Sequence, residues 1–214
     1  MQGIDTEFNR QRDVLLAKGY PALVGLSAAA FTALIEPLRA LVHASAGHLA
    51  PEATSSHVPF VVVVSSVLAP AEDLVPVTSL ADGTAPGVVD RNHGAEGLAA
   101  YVPLPELGVP AAPVYLLVEI ERGEEFCGVR PAEAVPVIAG RGRTPLTIHE
   151  GIALVTLFPG VLEKNRCFML AGSGRGDRRV PALWISAKAP KLGWCWAGIP
   201  HSWLGTASAR SRVA

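Results

Sequence analysis

Charge and thiols are both scarce in this chain. Only 17% of the 214 residues are charged, half are hydrophobic, and the mean hydropathy is +0.33. Disorder requires the opposite balance, so the chain folds around a core. Long apolar runs are also missing. The most apolar stretches, 28–42 and 58–68, fall short of the roughly 20 residues that cross a bilayer, and no membrane partner is expected. Cys127, Cys167 and Cys195 are too few and too far apart for a disulfide framework. The first ten residues carry acids and no apolar segment behind a basic start, so no secretory signal is read and a reducing cytoplasm is the expected location. Lysine supplies only four of the 18 basic residues. That shortage, beside abundant Ala, Gly, Pro, Val and Arg, is the mark of GC-rich codons and carries no functional meaning.

A mass of 22.4 kDa predicts roughly 9,400 Å² of folded surface against about 32,000 Å² unfolded, enough burial for one sizeable core. The net charge of −1 hides an uneven distribution: residues 1–140 carry net −9 and residues 141–214 net +8. Such asymmetry marks either an anion-binding surface or two halves that neutralise each other within one fold.

Ile4, Phe8, Gln11 and Leu15 lie at helical spacing, with Thr6 as a candidate N-cap and Gly19 and Pro21 as stops. Ser27 caps a second apolar stripe, Phe31, Leu34, Leu38, Leu41 and Val42, that Pro37 must kink. The two predict an N-terminal helical hairpin within residues 1–43. Residues 44–56 read as a loop. The β-branched run 59–66 and the segment 113–121 read as long strands, the first buried on both faces. Between them, 70–113 is rich in Pro, Gly, Ala and Asp and is expected to wander, with short strands near 74–77. Pro131 predicts a short helix over 132–137. Thr147 and Glu150 form a capping-box pattern ahead of the apolar run 152–158, which makes Glu150 a cap before it is a catalytic acid. Strands are expected at 167–171, 180–186 and 191–197. Helices first and strands after predict an α+β fold, a helical hairpin packed on a mixed, mostly antiparallel sheet with Trp-rich C-terminal strands. No linker divides the chain, so 1–214 reads as a single domain, with the sheet part over 58–214.

All four tryptophans fall within 184–203. Strand alternation places Trp194 and Trp196 on one face and Cys195 on the other. With Trp203, His201 and the nearby Arg178 and Arg179, they define a candidate site in which indole walls and arginines hold an anion. In that site His201 is the candidate general acid or base, and Cys195 a secondary candidate nucleophile. The same residues also suit a plain aromatic core. The Gly-rich loop 172–177 lacks the features of a phosphate-binding loop. The six histidines show no paired metal-ligand spacing, and no cofactor motif occurs, so neither metal nor cofactor is expected. A pI near 6.6 and the lack of a recognisable module argue against a nucleic-acid partner.

Gly19-Tyr-Pro-Ala-Leu23, Thr144-Pro-Leu-Thr-Ile148, Glu150-Gly-Ile-Ala-Leu154, the segment 176–186 and Gly193-Trp-Cys-Trp-Ala-Gly198 with Pro200-His201 resemble an uncharacterised bacterial family of unknown function, common in high-GC genomes, over nearly the whole chain. The resemblance implies no reaction and assigns no catalytic residue. Two readings therefore stand at this level. One is a cytoplasmic small-molecule-binding protein for an anionic ligand, with an enzyme using His201 as one form of it. The other is a non-catalytic interaction or structural module.

Overall fold

The structure, a computed structural model, describes residues 2–90 and 93–214. The helices are α1 (Gln2–Ala17), α2 (Tyr20–Leu23), α3 (Ala28–Ile35), α4 (Leu38–Ser45), α5 (Ala71–Leu74), α6 (Pro131–Gly140) and α7 (Ile148–Leu157). The strands are β1 (His57–Val64), β2 (Val88–Val89), β3 (Val102–Pro103), β4 (Val114–Glu121), β5 (Thr144–Pro145), β6 (Cys167–Met169), β7 (Ser173–Gly174), β8 (Arg179–Ser186), β9 (Ala189–Trp196), β10 (Leu204–Thr206) and β11 (Ser208–Val213). The fold is α+β, and its surface is 9345 Å².

Helix α1 starts at Gln2 rather than at a Thr6 cap; Asp5 supplies the first-turn acid that suits the helix dipole and pairs with Arg39 and His43 of α4. The expected stripe is real in Phe8, Gln11 and Leu15, all buried. Ser27 accepts the Ala30 N–H as N-cap of α3. Pro37 does more than kink the second helix: the chain divides there into α3 and α4.

Strands β1, β4, β11 and β5 form an antiparallel sheet in that order. The ladder skips Pro59, which has no N–H to give, and opposite it Glu119 takes φ 53°. Glu119 is held there by the Ala50 N–H and by His57. The outer edge of β1 is closed by a side chain: Gln11 donates to the Phe60 carbonyl and accepts the Val62 N–H, both at 2.9 Å. This protects an apolar edge that would otherwise template pairing with another chain.

The second sheet, in the order β10-β6-β8-β9-β2, is mixed: β10 runs parallel to β6 and β2 to β9, while β6, β8 and β9 are antiparallel neighbours. Only Ala207 separates β10 from β11, so one stretch of chain passes from the second sheet into the first. At this junction Gly123 has φ 74°, and a Cβ there would lie 1.9 Å from the Thr206 carbonyl oxygen, so only glycine lets β4 leave so close to β10. The main hydrophobic cluster runs from Phe8 to Ala209 through both sheets.

One local expectation is corrected and one gap is filled. Residues 74–77 are not a strand but the end of α5 and a 3₁₀ turn, because Glu72 and Asp73 favour a helix start behind Pro70. The C-terminal residues, unassigned from sequence, form β10 and β11. The Ser, Ala and Arg content of β11 has weak strand preference, and pairing along β4 decides its conformation, while β10 is set by parallel pairing with β6.

Candidate functional site

The hairpin of β8 and β9 pairs Arg179 with Trp196 and Pro181 with Trp194. Trp194 and Trp196 share a face, their rings meeting edge-on at 4.9 Å and 71°. The Arg179 guanidinium lies 5.2 Å from the Trp194 ring centroid and is anchored by Asp177 at 2.8 Å. The Arg179 N–H, followed by its side chain, holds the Asp177 carboxyl below its usual pKa. Arg178 is exposed, and Trp196 is 46% exposed. Cys195 points the other way and is buried. His201 and Trp203 pair separately at 5.5 Å, and the His201 carbonyl ties down Gly128 and Leu204. Trp184 is core, packed over Gly193, where a Cβ would lie 2.2 Å from the indole. The structure thus gathers Arg179, Trp194 and Trp196 into one assembly and pairs His201 with Trp203.

A different set of residues encloses space. Two adjoining cavities, of about 330 and 240 Å³, share Ser66, Pro103 and His149 as lining. None of Arg178, Arg179, Trp194, Cys195, Trp196, His201 and Trp203 lines either one. Ser66 follows β1, His149 stands in the first turn of α7, and Pro103 ends β3. The covering segment is fixed by the pairing of β3 with β7 and by the Leu104 N–H on the Gly172 carbonyl. Ser65, also lining the larger cavity, donates to the Ala112 carbonyl and accepts the Val67 N–H.

The floor is a buried polar network. Glu150, completely buried, accepts four hydrogen bonds: Oε1 from the Tyr115 hydroxyl (2.8 Å) and Arg212 Nε, Oε2 from the Thr147 N–H (2.7 Å) and Arg212 Nη2 (2.8 Å). The predicted capping box is present, with Thr147 accepting the Glu150 N–H. Arg212 also donates to Thr144 and the Pro145 carbonyl. Burial, and then the neighbouring carboxylate, push the Tyr115 phenol far above its usual pKa, so it stays a donor. Every group in this network is committed, which makes it a support for the cleft.

His149 differs. Its Nε2 lies 3.0 Å from the Ala69 carbonyl, which can only accept, so Nε2 carries the proton. Burial lowers the ring's pKa and keeps it neutral. Nδ1 therefore presents a lone pair, with no hydrogen-bond partner among the described residues. With Nε2 held by the Ala69 carbonyl, His149 is arranged to present Nδ1 as a hydrogen-bond acceptor. Among the described residues, no group of three His, Cys, Asp or Glu side chains is placed to hold a metal ion, and no helix is long and apolar enough to cross a membrane.

The sequence model of a family of unknown function, DUF5701, matches residues 14–214. The chain belongs to this family. No curated protein and no solved structure matches it. The resemblance read from the sequence is thus confirmed over nearly its full extent, and the DUF5701 match takes in both the cleft around His149 and the aromatic assembly of β8 and β9. Glu150 was legible through its capping pattern, whereas Tyr115, His149 and Arg212 join the site through contacts 35 to 80 residues apart in sequence.

Proposed function

We propose that this DUF5701 protein binds a small molecule in the cleft at the head of α7, with His149 as its recognition residue. One observation carries this reading: two cavities adjoin at a neutral histidine whose acceptor nitrogen has no partner among the described residues. Ligand sites combine an apolar enclosure with a few convergent polar groups on rigid supports, and the saturated network of Tyr115, Glu150 and Arg212 supplies that support. Binding is the primary role. The main hydrophobic cluster spanning both sheets supports a single domain, and three free thiols support a cytoplasmic setting.

The test is a titration of the ¹⁵N-labelled protein with a library of small polar molecules, followed by amide shifts. Saturable shifts confined to Ser66, Val102, Thr147 and His149, abolished in His149→Leu, are expected. Shifts confined to the Trp194 and Trp196 indoles would overturn the assignment. They would favour the second reading, in which Arg179 over Trp194, with Arg178, Trp196 and Trp203, attracts an anion and His201 acts as its acid or base.

A further inference from the structure

We infer that the cleft selects a ligand that offers N–H or O–H donors and carries no negative charge; this rests on the cleft being the ligand site. Among the described residues lining both cavities the only charged side chain is a carboxylate, Glu72, and neither lysine nor arginine contributes. Glu72 Oε1 accepts the Leu98 N–H at 2.7 Å, and Oε2 has no hydrogen-bond partner among the described residues. His149 adds a second acceptor in Nδ1. Glu72 and His149 therefore both call for donors, while the Ser66 and Tyr101 hydroxyls, which can give as well as accept a hydrogen bond, leave the preference to those two.

The start of α7 does not reverse this preference. A helix N-terminus attracts anions through its unpaired amides, but here protein oxygens occupy three of the first four, the His149 N–H being the exception among the described residues. The Thr147 N–H is on Glu150, the Ile148 N–H on Ser173 Oγ (3.0 Å) and the Glu150 N–H on Thr147 Oγ1. Arg212, the cation nearest this turn, is 4% exposed and spent on Glu150. An anion entering the cleft would meet Glu72 with no cation among the described lining residues, and its acceptor oxygens would face the His149 lone pair. Arg175, packed over the ring of the lining Tyr101, is committed to Asp177 and the His93 carbonyl. Leu98, Val102, Pro103, Leu104 and Val109 supply apolar wall that suits a compact hydrocarbon body.

Three probes of one shape separate the possibilities: benzamide, benzylamine and benzoate, titrated into the full-length protein with amide shifts as readout. Benzamide and benzylamine are expected to move the residues around His149 saturably. Benzoate is expected to bind at least about tenfold more weakly, since its carboxylate meets the Glu72 carboxylate and offers no donor to His149 Nδ1. Glu72→Gln should narrow the gap between benzylamine and benzamide. His149→Gln, which keeps an acceptor, should bind benzamide while His149→Leu does not, and the spectra report whether each variant is folded. Benzoate binding as tightly as benzamide at these residues would overturn the charge selectivity and leave the cleft as the site. No response at these residues to any of the three would overturn both.

Discussion

Arg212 of the last strand grips Glu150 in the first turn of α7, the two joined by paired hydrogen bonds through Nε and Nη2 although 62 positions separate them. The contact ties β11, the head of α7 and, through Tyr115, strand β4 into one buried unit beneath the cleft. Breaking one side of such a pair leaves a charge with nothing to balance it in the interior. Arg212→Ala is therefore expected to lower stability by about 3–5 kcal/mol, measured by urea denaturation. The double variant Arg212→Met with Glu150→Gln should lose less than Arg212→Ala does. A loss below about 1 kcal/mol for Arg212→Ala, the range of exposed ion pairs, would contradict this role.

Gln11 closes the edge of β1 through Phe60 and Val62. Gln11→Leu keeps the volume but orphans a buried carbonyl and a buried amide, and is expected to cost about 2–4 kcal/mol. Hydrogen exchange at the Val62 amide should accelerate well beyond that of Leu116, at the centre of the sheet. Equal protection of the two would show that Gln11 is dispensable.

His149 makes stability depend on pH in a defined direction. Burial lowers its pKa, an effect that the Ala69 hydrogen bond, Glu150 and Glu72 only partly offset. Above the ordinary histidine value of about 6.5 both folded and unfolded rings are neutral, and the contribution is complete. As pH falls below that value, the unfolded chain takes up a proton that the folded ring refuses, so stability drops until the lowered folded pKa is passed. His93, also lowered chiefly by burial, acts in the same sense. Thermal melts between pH 7.5 and 5 should show this loss, and His149→Gln should reduce it; an unchanged pH profile in His149→Gln would exclude the residue as its source.

Gly123 and Gly128 separate close approach from conformation. Both have positive φ, but a Cβ at Gly123 would collide with the Thr206 backbone, whereas nothing lies within 4 Å at Gly128. Gly128→Ala should cost about 1 kcal/mol, the ordinary left-handed penalty. Gly123→Ala should cost several times more because the junction of the two sheets must open. Comparable denaturation midpoints for the two would refute the distinction.

The tryptophans should divide by burial. Trp184→Ala removes a core side chain and is expected to cost about 3–5 kcal/mol, while Trp196→Ala, at a site 46% exposed, should change stability by less than about 1 kcal/mol. Similar losses at both positions would mean that Trp196 is a packing residue.

Local signals carried the sequence reading where partners lie within a turn or alternate along a strand. The buried stripe Phe8, Gln11 and Leu15, the Ser27 cap, the Thr147–Glu150 box, strands β1 and β4, and the opposition of Cys195 to Trp194 and Trp196 all follow from spacings of two to four residues. Such spacings express helix and strand geometry directly. The α+β class and the family resemblance were legible for the same reason. The tertiary structure alone decided that α5 replaces a strand, that the weakly strand-forming C-terminus joins β4, and that His149 lines two cavities that none of the tryptophans borders. Those outcomes depend on contacts such as Arg212 with Glu150, Gln11 with Phe60 and Ala69 with His149, each 49 to 80 positions apart. No periodicity records such pairs, because packing of the whole chain, and not local backbone preference, brings them into hydrogen-bonding distance.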